Sequence, residues 1–100
     1  MSSIEDIKST LSIAFQDTPV KKAILFGSYA KKTADNLSDI DLVIDSKGQL
    51  QGLKFFGLLD KLVISLGTKV DLIDLNEIEQ NSDIYNTIIN EGVVVYDRAD

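Results

Sequence analysis

Apolar residues at Ile4, Ile7, Leu11 and Phe15 recur at the spacing of one helix face. Ser2 or Ser3, ahead of Glu5 and Asp6, offers an N-cap with acidic residues in the first turn, so the pattern predicts an amphipathic helix that ends before Pro19. The stretch Lys22 to Phe26 is short, apolar and stopped by Gly27, which reads as a buried strand. A short helix is expected from Ser28 to Ala34, followed by a polar link through Asn36 to Ser38. From Asp39 to Asp45 carboxylates alternate with aliphatic residues as far as Val43, and the run is rich in β-branched side chains, so it is predicted as a strand. Gly48 to Gly52 turns the chain. Leu53, Phe56, Leu59, Leu62, Val63 and Leu66 mark a second amphipathic helix, with Gly67 placed as its C-terminal cap. Lys69 to Leu75 reads as a strand, Asp83 to Asn90 as a last helix, and Gly92 to Tyr96 as a closing strand.

Strand, helix, strand in that order implies a right-handed parallel crossover, which sets the Asp39 strand beside the Asp71 strand. The expected fold is α/β (α+β): a small mixed sheet with helices packed mainly on one face, residues 1–100 forming a single domain. The candidate site then lies at the sheet edge above the Asp39 strand. No repeat, low-complexity segment or linker interrupts the pattern.

Composition narrows the chemistry. The chain has no cysteine and no histidine, which excludes disulfides, thiolate or imidazole zinc sites, Cys-His dyads and Ser-His-Asp triads. Catalysis would have to run on carboxylates, hydroxyls, lysine or arginine, backbone amides and a hard, oxygen-preferring cation. A net charge of −6 argues against direct nucleic-acid binding, which needs a basic surface to displace counterions. It leaves room for a metal-bridged nucleotide and for a basic protein partner. The N-terminus carries acidic residues where a signal peptide has basic ones, and no apolar run is long enough to span a bilayer, so cytoplasmic residence and no membrane contact are expected.

Residues two apart on a strand face the same side and rise by roughly 6.6 Å, so Asp39 and Asp41 project together while Ile40, Leu42 and Ile44 take the other face. The parallel neighbour brings Asp71, flanked by Val70 and Leu72, into range as a third ligand. Three carboxylates so close repel one another unless a divalent ion sits among them. Upstream, Gly27 and Ser28 stand at a strand-to-helix turn, where glycine admits close approach and free N–H groups bind anions. An anion seat beside a carboxylate cluster supplies the parts of metal-assisted phosphoryl or nucleotidyl transfer, with two ions expected about 3.5 to 4 Å apart.

The ungapped segment from Gly27-Ser28 to Asp39-Ile40-Asp41-Leu42 resembles the signature of the DNA polymerase β-like nucleotidyltransferase superfamily: Gly-Ser, a helical stretch, then Asp-x-Asp. Val70-Asp71-Leu72 resembles its third-carboxylate strand, Glu91 to Tyr96 its final strand, and the size its minimal branch. The resemblance implies that Asp39 and Asp41 bind both magnesium ions, that Asp71 binds the catalytic one and helps deprotonate the acceptor, and that Gly27 and Ser28 hold the β and γ phosphates of ATP. Lys31-Lys32 stands where relatives commonly have Arg-Gly; Lys31 is the basic candidate for the phosphates, although a solvated helix face suits both lysines better. Taken singly, Gly-Ser is an ordinary capped turn and Asp-x-Asp a solvated strand face. Asp45 and Asp74 read as strand-end solvation, and Phe55 and Phe56 as core or partner interface.

Minimal members of this superfamily typically work beside a small helical HEPN ribonuclease as a toxin-antitoxin pair. The resemblance therefore implies transfer of AMP from ATP to a hydroxyl of such a partner, within a homo- or hetero-oligomer. Two alternatives stay open: a non-catalytic module that neutralises a partner by covering it, and nucleotidyl transfer to a small molecule.

Overall fold

The computed structural model describes residues 3–27 and 39–98. The predicted helix from Ser28 to Ala34 and the link to Ser38 lie outside the described residues. Helix α1 (Ile4–Ala14) leads into strand β1 (Lys22–Phe26), then β2 (Ile40–Asp45), helix α2 (Leu53–Leu66), strand β3 (Val70–Asp74), a one-turn 3-10 helix (Leu75–Glu77), helix α3 (Asp83–Glu91) and strand β4 (Val93–Asp97). The strands form one sheet in the order β3-β2-β1-β4. β1 pairs antiparallel with both β2 and β4, whereas β2 and β3, joined through α2, run parallel.

Local chemistry accounts for the element ends. The Ser3 hydroxyl accepts from the Asp6 N–H, and the Asp6 carboxylate accepts from the Ser3 N–H, a reciprocal cap that fixes the start of α1. Gly67 adopts the left-handed conformation at φ 69° that ends α2. The last turn of α1 holds no basic residue. Its carbonyls are satisfied from a distance, by Lys61 Nζ on Ala14 O (2.8 Å) and Arg98 Nη2 on Phe15 O (2.8 Å). Arg98 also donates to the Tyr96 hydroxyl, whose ring meets Phe15 edge-on at 5.0 Å.

Strand alternation divides the apolar residues between two faces. Ala23, Leu25, Ile40, Leu42 and Ile44 join Ile7, Leu11, Phe15, Leu58 and Leu62 in the main core beneath α1 and α2. Ile24 and Val43 join Ile88 of α3 in a smaller cluster on the other face, extended by Phe26 and Ile73. Two helices on one side and one on the other match the expected mixed-sheet α/β fold.

Three expectations need correction. The candidate site does not lie at a sheet edge, because β2, which carries Asp41, is flanked by β1 and β3 on both sides. Leu53 and Phe56 do not face the core: α2 turns Phe55, Leu58, Leu62 and Leu66 inward, one position out of phase with the predicted stripe at its start. Hydrophobicity alone could not fix this phase, since α2 has leucine or phenylalanine on several sides. Asp74 is buried rather than solvated; it accepts from the buried Ser46 hydroxyl at 3.1 Å and from the Asn76 N–H at 2.9 Å. That pairing ties the end of β3 to the loop after β2.

Removing the Asp74 carboxylate leaves the Ser46 hydroxyl buried without its acceptor, a loss of about 1–3 kcal/mol. Asp74→Ala should therefore lower the denaturant midpoint clearly, and Asp74→Asn, which retains an acceptor, should lower it less.

Candidate active site

Asp41 is the centre of the site. On one side the parallel register pairs it with Asp71 of β3; on the other the antiparallel register pairs it with Phe26, the residue before Gly27. β2 presents Ile40, Leu42 and Ile44 to the main core, so Asp41 emerges on the α3 side of the sheet. Asp71 shares that face and is exposed, while its neighbour Val70 is buried in the main core. The two carboxyls lie within hydrogen-bonding reach of one another.

Burial raises the Asp41 carboxyl above its ordinary value, the hydrogen bond and charge of Asp71 raise it further, and the charge of Asp39 adds to both. Asp39 precedes β2, close enough for Asp41 to feel its charge, but its Oδ2 pairs with Lys69 Nζ at 3.8 Å. The Ile40 N–H donates to the Lys69 carbonyl at 3.1 Å, so the entry ends of β2 and β3 are bound together at this point. As placed, no three carboxylates among the described residues form a ready cage for an ion. Asp41 and Asp71 meet, whereas the Asp39 side chain is turned to Lys69.

Gly27 closes the other side. Its φ is +76°, a conformation that disfavours side chains, and a Cβ built on it would collide with Oδ2 of Asp41. The bend after β1 favours glycine here, and a side chain at this position would displace the Asp41 carboxylate. The donor set is all oxygen and anionic, which fits a hard divalent cation such as magnesium. Ser28 and Lys31, the other predicted phosphate contacts, lie outside the described residues. Sequence reasoning did not single out Lys69; its position two residues before Asp71 was the available signal.

The sequence between residues 5 and 100 matches the family described as polymerase beta nucleotidyltransferase. The chain belongs to the polymerase β nucleotidyltransferase family. Within this family it is 31% identical over 99 residues to the protein adenylyltransferase MntA of Thermococcus cleftensis, covering 95% of this chain and 98% of that one. A Methanocaldococcus jannaschii relative, provisionally named a protein adenylyltransferase, is 39% identical over 77 residues, which are 73% of this chain and 79% of its own. Among solved structures, a toxin-antitoxin complex with AMP-PNP superposes with a TM-score of 0.72 at 25% identity, over 90% of this chain and 73% of that chain. A complex of tri-AMPylated Shewanella oneidensis HEPN toxin with MNT antitoxin gives 0.60 at 23% identity, over 94% and 69%, a likeness of fold. Among the described residues of this nucleotidyltransferase, no helix is long and apolar enough to cross a membrane.

Two outcomes test the geometry. Gly27→Ala forces both a left-handed alanine, at about 1–2 kcal/mol, and displacement of the Asp41 carboxylate; thermal stability should fall modestly and magnesium-nucleotide affinity, read by calorimetry, should fall more. Because Asp41 titrates higher folded than unfolded, where its ordinary value is 3.8, the folded state binds more protons above that value. Stability conferred by the wild-type pair is therefore present at low pH and lost as pH rises through the raised value. Asp41→Asn removes this loss, so metal-free melting temperatures of variant and wild type should diverge in the variant's favour from about pH 4 upward.

Proposed function

We propose that this chain is a metal-dependent protein adenylyltransferase, which moves AMP from ATP to a hydroxyl of a HEPN-type helical partner and thereby acts as that partner's antitoxin. The observation that carries the reading is Asp41 facing Asp71 across β2 and β3, with Gly27 packed against the Asp41 carboxylate. Its full-length similarity to MntA supports protein as the acceptor, and the AMP-PNP complex of a structural neighbour supports an adenine nucleotide as donor.

In this reading Asp39, Asp41 and Asp71 hold magnesium, Asp39 leaving Lys69 to do so, and Gly27, Ser28 and Lys31 receive the β and γ phosphates. Magnesium, when bound, neutralises charge on both the carboxylates and the triphosphate. The acceptor oxygen attacks the α phosphorus, the bond from that phosphorus to the β-bridging oxygen breaks, and pyrophosphate leaves. Asp71, the most exposed of the three positions, draws the proton from the acceptor hydroxyl. In this reading a partner surface completes the site on the α3 face of the sheet. The cytoplasm, which supplies ATP, is the compartment of this reaction.

Incubation with labelled ATP, magnesium and the product of the neighbouring gene should label that product. Asp41→Ala and Asp71→Ala should lower the rate at least ~100-fold, the lower range for loss of a positioned acid-base group. Undiminished labelling by these variants overturns the proposal, and silencing of the partner by Asp41→Ala without labelling would favour neutralisation by covering instead.

A further inference from the structure

Lys69 stands on the carboxylate face of the sheet. Val70 is buried in the main core, so strand alternation turns Lys69 to the same side as Asp71, two residues on and roughly 6.6 Å along the strand. Its side chain is 73% exposed, and its ammonium rests 3.8 Å from Asp39 Oδ2. The bond from the Ile40 N–H to the Lys69 carbonyl fixes the backbone beneath it. Lys22 pairs in register with Asp45, and Lys47 binds the Asp45 carboxylate, so both belong to the far end of β2. Among the described residues, Lys69 is the cation at the Asp41 end of this face.

Strand order decides which flank of the site Lys69 occupies. β2 lies between β1 and β3, so Gly27, which follows β1, is on one side of Asp41, while Asp71 and Lys69 are on the other. Displacement at phosphorus runs in line, with the attacking and leaving oxygens on opposite sides of the phosphorus. With the β and γ phosphates on the Gly27 turn, as in the function proposed above, pyrophosphate departs towards β1 and the acceptor hydroxyl enters from β3. β3 is the outer strand of the sheet on that side, and Lys69 flanks the approach. Once the Asp39 carboxylate turns to magnesium, the ammonium is a free point charge on a flexible stem, facing the incoming segment. The net charge of −6 repels an acidic segment elsewhere; at Lys69 the sign is reversed.

We propose that Lys69 is an acceptor-specificity residue, which pairs with a carboxylate that the partner carries beside the hydroxyl to be adenylylated. This rests on the adenylyl-transfer reading of the site and adds the chemistry of the acceptor, a hydroxyl with an acidic neighbour. The ammonium steers that segment onto Asp71 and takes no part in bond-making. A charge at the rim of an interface acts chiefly on encounter and on its salt dependence, so loss of Lys69 falls on KM for the partner. Magnesium-ATP is then held no more weakly, because Asp39 has lost its competing partner.

Initial labelling rates with the neighbouring gene product as acceptor, at saturating magnesium-ATP, separate KM from kcat. Lys69→Met should raise KM for that product about 5-fold, equivalent to about 1 kcal/mol, the upper end for an exposed ion pair. Lys69→Glu should raise it further and Lys69→Arg should retain the wild-type value, with kcat and melting temperature held in all three. Calorimetry of the chain alone should show magnesium-ATP bound by Lys69→Met at least as tightly as by wild type. With the labelled hydroxyl located by mass spectrometry, exchanging the acidic residue beside it for lysine should slow labelling by wild type and be offset by Lys69→Glu. An unchanged KM in Lys69→Met and Lys69→Glu, weaker magnesium-ATP binding, or a labelled hydroxyl without an acidic neighbour overturns the proposal. Absence of label with the wild-type chain instead overturns the adenylyl-transfer reading, and this proposal with it.

Discussion

The parallel register of β2 on β3 is the constraint from which the rest of the structure follows. It sets Asp41 beside Asp71 and Ile40 beside Val70, so one pairing delivers two carboxylates to one face and two aliphatic residues to the other. A shift by one residue would exchange the faces, burying the acids and exposing Ile40, Leu42 and Ile44. Burial of those three side chains, at about 1.5–3 kcal/mol each, therefore also holds the carboxylates in position. The stability of the main core and the geometry of the site rest on the same hydrogen-bond ladder.

That ladder carries an electrostatic cost. Asp41 is held above its ordinary carboxylate range by burial and by Asp71, and Asp39 is balanced by Lys69. An exposed pair such as Asp39–Lys69 contributes little stability, roughly 0–1 kcal/mol, so it yields easily to a better counterion. The site is arranged to gain stability when positive charge arrives. Proteins accept local destabilisation of this kind where the repelling groups are needed together.

The helical layer has two separate jobs. Inward, α1 and α2 bury the main core, and Lys61 and Arg98 lock the end of α1 through its last carbonyls. Outward, α2 presents an apolar stripe that the isolated chain leaves in water. The carboxylates open on the far side of the sheet, so that stripe and the chemistry at Asp41 do not share a surface.

Periodicity determined most of the fold. The strands at Lys22–Phe26 and Ile40–Asp45, the Ser3 cap and the Gly67 stop were legible because each depends on residues adjacent in sequence. The facing of Asp41 and Asp71 was legible as well, since strand alternation and the parallel crossover together leave few other arrangements. What the sequence alone could not decide were the phase of α2, the interior place of β2, the burial of Asp74 against Ser46 and the hold of Lys69 on Asp39. Each is a contact between segments distant along the chain, or a choice between faces of similar hydrophobicity. Only packing in three dimensions distinguishes those alternatives, because their energies depend on which neighbour each side chain meets rather than on the residues beside it.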